Sequence, residues 1–98
     1  PTNQYTKWFD CDKINCELTV RTRRSGDYMA VSQSGGHKKL TRCMIDDKIP
    51  GELRGKLPLV VDGNEVLWIV GGRINERYKI TSETGRVLEI TYQGGNVQ

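Results

Sequence analysis

The stretch LPLVVDGNEVLWIVGG, Leu57 to Gly72, limits the fold more than any other part of the chain. Two runs rich in Val, Ile, Leu and Trp flank Asp62-Gly63, a dipeptide favoured in tight hairpin turns. An antiparallel hairpin with largely apolar arms needs cover, so the rest of the chain must supply elements that pack on it.

Those elements are readable. QYTKWFD, Gln4 to Asp10, alternates weakly and reads as an entry strand. In ELTVRTRR the alternation is clearer: Leu18, Val20 and Thr22 fall on one face, and Thr19, Arg21 and Arg23 on the other. This predicts a half-buried strand with two guanidiniums outward, closed by the turn residues Ser25-Gly26-Asp27. HKKLTRCMIDDKIP places Leu40, Cys43 and Met44 at i, i+3, i+4, the pattern of a short amphipathic helix opened by Lys38 and Lys39. It should stop near Lys48, because Pro50 disfavours helix at the residue before it. Pro50 can then open a second short helix as its first residue. ERYKIT predicts a strand with Tyr78 and Ile80 inward and Arg77 and Lys79 outward. RVLEITY predicts a last strand with Leu88, Ile90 and Tyr92 on one side, and the tail 93–98 should fray. Strands, then a helical pair, then strands is an α+β plan.

A chain of 98 residues suits one domain over 1–98, without repeats or an internal boundary. It begins with Pro1, which suggests a piece of a longer protein or a processed one. No apolar run approaches the roughly 20 residues that cross a bilayer, and no signal-peptide pattern opens the chain, so no membrane partner is expected. Cys11, Cys16 and Cys43 form no C-x-x-C pair and only one His is present; these read as reduced, mostly buried thiols of a cytoplasmic protein rather than zinc ligands.

Catalytic constellations are absent from the pattern. Ser34-Gly35-Gly36 before His37-Lys38-Lys39 looks like a phosphate loop, but the Walker spacing fails and no Ser or Thr follows the lysine. Asp46 and Asp47 are adjacent on the expected helix and diverge by about 100°. No nucleophile stands at an interpretable spacing from His37. No catalytic residue, metal ligand or cofactor is therefore assigned to this chain.

The cations carry more. The formal net charge of +3 is mild, but Arg21, Arg23 and Arg24, then Lys38 and Lys39, then Arg73, Arg77 and Lys79 are grouped apart from most acids. Segregated cations suit a polyanion, while a solvated surface with local ion pairs is the plainer alternative. Asp27, beside the first group, could neutralise an arginine or orient it. Trp8 and Trp68 discriminate a further alternative: exposure of either favours a protein interface.

Taken in order, several segments resemble the C-terminal domain family of bacterial tRNA(Ile)-lysidine synthetases. The residues that carry this are Arg21, Arg23, Gly26 and Asp27; Lys38 to Leu40; Ile45, Asp46 and Lys48 to Pro50; Arg54 and Pro58 to Val60; Trp68, Gly71, Arg73 and Ile74; and Arg77 to Lys79. The resemblance implies a β-rich sandwich-like domain of the PheT/TilS type, with two short helices between strand groups. It also implies a parent ligase in which an N-terminal catalytic domain, using ATP with Mg, adenylates a wobble cytidine, after which lysine displaces AMP. This chain would hold the tRNA(Ile) acceptor stem, alongside the N-terminal domain and, through the longer enzyme, a second copy. The residues expected to touch tRNA are Arg21, Arg23, Arg24, Lys38, Lys39, Arg73, Arg77 and Lys79. The alternative is a structural or protein-interaction domain without RNA contact.

Overall fold

The central hairpin forms where the turn signal places it. The computed structural model describes residues 5–32, 34 and 36–93. In it β5 (Leu59–Asp62) and β6 (Glu65–Ile69) pair antiparallel, with Asp62 opposite Glu65. The two loop residues are Gly63 and Asn64, and only Gly63 has a positive φ, +69°. That is the pattern of a II′ turn, which asks for glycine at its first central position. Every residue of both strands is buried.

Burial on both faces requires cover on both. β2 (Leu18–Arg21), β3 (Tyr28–Ala30) and β4 (His37–Lys39) join the hairpin in a five-stranded sheet of order β2-β5-β6-β3-β4. One face packs on α1 (Leu40–Asp46): Leu40, Cys43 and Met44, the predicted apolar stripe, meet Met29, Leu59, Val61, Val66 and Ile69. The other face packs on a two-stranded ribbon of β1 (Thr6–Asp10) and β7 (Val87–Thr91), where Phe9, Val60, Leu67, Trp68, Val70 and Tyr78 are buried and Ile90 and Tyr92 lean in. The architecture is α+β and sandwich-like, with α1 and α2 (Gly51–Arg54) between strand groups.

Strict alternation would send Leu67 and Trp68 to opposite faces, yet both belong to the ribbon-side core. The pairing explains this. Val61 stands opposite Val66 and Val60 opposite Trp68, so Leu67 is an extra residue at a β-bulge. The bulge turns two large neighbouring side chains the same way.

Four local expectations need correction. Lys38 and Lys39 do not open a helix: with His37 they form β4, and α1 starts at Leu40. Glu76–Tyr78 is a 3₁₀ turn, not a strand; the Asn75 carboxamide oxygen accepts from the Arg77 N–H at 2.8 Å, and Ile80 is exposed. Tyr78 is buried as expected. In β2, Val20 is exposed and the Arg21 guanidinium is nearly buried, the reverse of the predicted facing. Among the thiols only Cys43 is buried; Cys11 is half-buried and Cys16 exposed. Of the tail 93–98, residues 94–98 lie outside the described residues.

α1 ends by a cap rather than by Pro50. Lys48 N–H donates to the Ile45 carbonyl and Ile49 N–H to the Met44 carbonyl, the pair of bonds of a Schellman motif, with Lys48 at φ +60° where glycine is usual. Pro50 precedes α2 as its cap residue. Replacing the exposed Lys48 with glycine removes this strain, and the urea unfolding midpoint should rise, equivalent to about 0.5–1 kcal/mol.

Candidate nucleic-acid interface

The eight cations named from the sequence do not share one environment. Their partners sort them. Arg21, at the end of β2, donates from both terminal nitrogens to the Asp27 carboxylate at 2.9 and 2.8 Å, and further to the carbonyls of Thr22 and Gly63. Asp27 is 4% exposed. The hydrogen bond to Asp27 holds the Arg21 guanidinium above its ordinary value. Arg21 is thus a brace with both terminal nitrogens engaged, and Asp27 both neutralises and orients it.

Four more of the eight are ion-paired. The Lys38 ammonium donates to Asp46 at 2.7 Å, and Arg42 stands 3.7 Å from the same carboxylate. The Lys38 hydrogen bond holds the Asp46 carboxyl below its usual value. Arg73 forks onto Asp47 at 2.9 and 2.6 Å. The two adjacent aspartates, the last residue of α1 and its cap, therefore serve different partners. Arg77 lies 3.5 Å from Glu65 and 4.9 Å over the Tyr78 ring, and Lys79 pairs with Glu76 at 2.7 Å.

Arg23, Arg24 and Lys39 remain. Among the described residues these three have no acidic partner, and all three line one cleft of about 410 Å³. Its walls are the segment Arg23 to Tyr28 and the segment Lys39 to Thr41. Two bonds set their spacing: Leu40 N–H donates to the Asp27 carbonyl at 3.0 Å, and Arg24 N–H donates to the Asp27 carboxylate at 2.7 Å. Ser25 and Thr41 add hydroxyls to the lining. Tyr28, at one end, sits with its ring centre 4.7 Å from that of His37. Chemically the cleft offers two guanidinium forks, one ammonium and two hydroxyls, a donor set for an anion with several oxygens.

The sequence pattern marks Arg23, Arg24 and Lys39 but sets them no higher than the other five cations. It does not mark Ser25 or Thr41, whose meeting across the cleft depends on the β3–β4 pairing. Ser34 and Gly36 belong to the connection between β3 and β4, where Val31 N–H donates to the Gly36 carbonyl at 2.8 Å; Gly35 lies outside the described residues. Among the described residues no helix is long and apolar enough to cross a membrane.

Known proteins are similar to this chain in sequence and in fold. A family model described as the TilS substrate C-terminal domain matches residues 18–90. A tRNA(Ile)-lysidine synthase of Caldanaerobacter subterraneus subsp. tengcongensis is 44% identical over 89 residues, covering 91% of this chain. One of Clostridium tetani is 43% identical over 90 residues, covering 92%. The chain spans about 19% of the length of each of these relatives. A solved structure described as a TILS C-terminal domain superposes with a TM-score of 0.71 at 31% identity, over 98% of this chain and 75% of that one.

Proposed function

The chain belongs to the family of TilS substrate C-terminal domains, and from that premise we propose that it holds tRNA(Ile) for a lysidine synthase. The observation that carries this reading is the convergence on one cleft of Arg23, Arg24 and Lys39, which have no acidic partner among the described residues. An A-form acceptor stem offers proteins its phosphates, 2′-hydroxyls and shallow minor groove rather than base edges in the deep major groove. Fixed guanidiniums and hydroxyls suit phosphate and ribose. The remaining named cations act mainly through bracing and ion pairs. In this reading the chain works as one unit over 1–98 in the cytoplasm and contributes no catalytic group. ATP with Mg, and lysine, act in the part of the longer enzyme that this chain does not include.

The test is a titration of the chain with an acceptor-stem hairpin RNA across salt concentrations. Affinity should fall steeply with salt, and Arg24→Ala with Lys39→Ala should flatten the log–log slope by about 2, roughly one unit for each phosphate no longer neutralised. Affinity at low salt should fall about tenfold or more. Both side chains are exposed and belong to neither buried apolar cluster, so the fold should survive. Absence of binding at low salt, or an unchanged slope, overturns the reading.

One observation favours a second reading. Trp8, 50% exposed, and Val87, 53% exposed, lie on the outward face of the β1–β7 ribbon, where Trp8 pairs with Glu89 and Asp10 with Val87. An exposed aromatic and aliphatic pair of this kind suits a protein surface. If the domain acts only through that face, the cation variants will leave RNA affinity untouched while Trp8→Ala disrupts assembly with the longer enzyme.

A further inference from the structure

The cleft at Arg23, Arg24 and Lys39 carries more positive charge than one internal phosphate requires. Its volume of about 410 Å³ is that of a site for a single small ligand rather than a groove for several nucleotides. Asp27, the one acid in its lining among the described residues, is already taken by Arg21 and does not neutralise the other cations. Three charges therefore face the space of one ligand. A phosphodiester inside a strand brings one negative charge, and its chain must pass in and out on both sides. A terminal phosphate monoester brings about −1.5 to −2 at neutral pH and three free oxygens, and its chain leaves on one side only. Two buried residues of the lining, Asp27 and Leu40, are joined by the Leu40 N–H to Asp27 carbonyl bond, so on their side the cleft is backed by the protein interior, which serves as its floor. A floor suits a chain end better than a passing strand.

We propose that this cleft binds the 5′-terminal phosphate monoester of an RNA strand. Arg23 and Arg24 supply bidentate forks, Lys39 a point charge, and Ser25 and Thr41 hydroxyl donors to the remaining oxygens. The proposal rests on the reading that the domain holds a tRNA, and it deepens that reading by fixing which end of the acceptor stem is recognised. It assigns the domain a gauge of strand ends: the chain registers where the stem begins and not only that a duplex is present.

The experiment compares two acceptor-stem hairpins of identical sequence, one with a 5′-phosphate and one with a 5′-hydroxyl, in titrations of the chain at fixed salt. The phosphorylated hairpin should bind about tenfold more tightly, the size expected when one set of charge-assisted hydrogen bonds is added. In Arg24→Ala with Lys39→Ala the two hairpins should bind alike, whereas Arg73→Ala, outside the cleft, should keep the difference. Adenosine 5′-monophosphate serves as competitor and should compete far more weakly than the phosphorylated hairpin. Equal binding of the two hairpins by the unaltered chain overturns this proposal and leaves the tRNA-holding function standing. Binding of neither hairpin at low salt overturns both. Competition by the free nucleotide as strong as by the RNA overturns the strand end as the occupant.

Discussion

Asp27→Ala is expected to lower the stability of the chain by about 3 kcal/mol, because breaking a buried ion pair from one side leaves the other charge without compensation. The Arg21 side chain is 11% exposed and that of Asp27 1%. Asp27 also accepts from Arg24 N–H and, at 3.4 Å, from the Asn64 carboxamide. Its removal therefore strands a guanidinium, frees the loop and loosens its tie to the hairpin tip. Urea unfolding followed by tryptophan fluorescence measures this. Replacing Arg21 and Asp27 together with apolar residues should cost less than the single change, since no buried charge is then left over. A double change as damaging as the sum of both singles would contradict the pairing.

The same residue predicts an acid limit. Burial pushes the Asp27 carboxyl up, but the Arg21 fork, the Arg24 N–H and Asn64 together hold it below its ordinary 3.8. A carboxyl depressed in the folded state contributes stability that is present above its unfolded value and lost as pH falls through its folded value. Stability should therefore decline below about pH 4, and Asp27→Asn should show a shallower decline.

Asp62→Ala is the second large change, at about 2–4 kcal/mol, from donors that each cost about 1–3 kcal/mol when left unmet in a buried site. Asp62 ends β5 and accepts from Asn15 N–H at 2.9 Å, Cys16 N–H at 2.6 Å and the Tyr78 hydroxyl at 2.9 Å. One carboxylate thus ties the loop after β1 and the 3₁₀ turn at Tyr78 to the hairpin. Asp62→Asn, which keeps one acceptor oxygen, should fall between. The Tyr78 phenol gives an independent readout. Burial first, then the bond to Asp62 and the nearby Glu65 charge, push it well above the ordinary 10.0. A raised phenol contributes stability that is complete below its unfolded value and is lost only as pH climbs toward its folded value. In Asp62→Asn the alkaline absorbance change of that phenol should move to lower pH. An unmoved transition would show that Asp62 does not hold the hydroxyl.

Much of the plan is local and so was legible. The β-rich arms around Gly63, the i, i+3, i+4 stripe of α1 and the alternation of Leu88, Ile90 and Tyr92 each write their burial into neighbouring positions. The failures share a cause. Arg21 turns inward because Asp27, six residues on, folds back to receive it. Arg77 and Lys79 leave the strand pattern because Asn75 caps a 3₁₀ turn, although Glu-Arg-Tyr-Lys mimics alternation. Lys48 holds a left-handed position that carries no sequence mark without a glycine. The bulge at Leu67 shows only in its pairing with β5. The sorting of cations was least legible, since the Arg73 partner is Asp47 and the Arg77 partner is Glu65, neither adjacent in sequence.

The hairpin tip has a consequence for recognition. The Asn64 carbonyl accepts from Tyr28 N–H at 3.1 Å and its carboxamide donates to Asp27, while the Gly63 carbonyl accepts from Arg21 at 3.3 Å. The loop that carries Arg23 and Arg24 is thus anchored at both ends to the turn that joins the two fully buried strands β5 and β6. A backbone held in this way has little conformational freedom left to surrender when an anion arrives, so less of the interaction free energy is consumed in ordering it. The buried hairpin therefore serves affinity as well as stability, and a substitution far inside it can weaken binding by releasing that loop without touching a single cation.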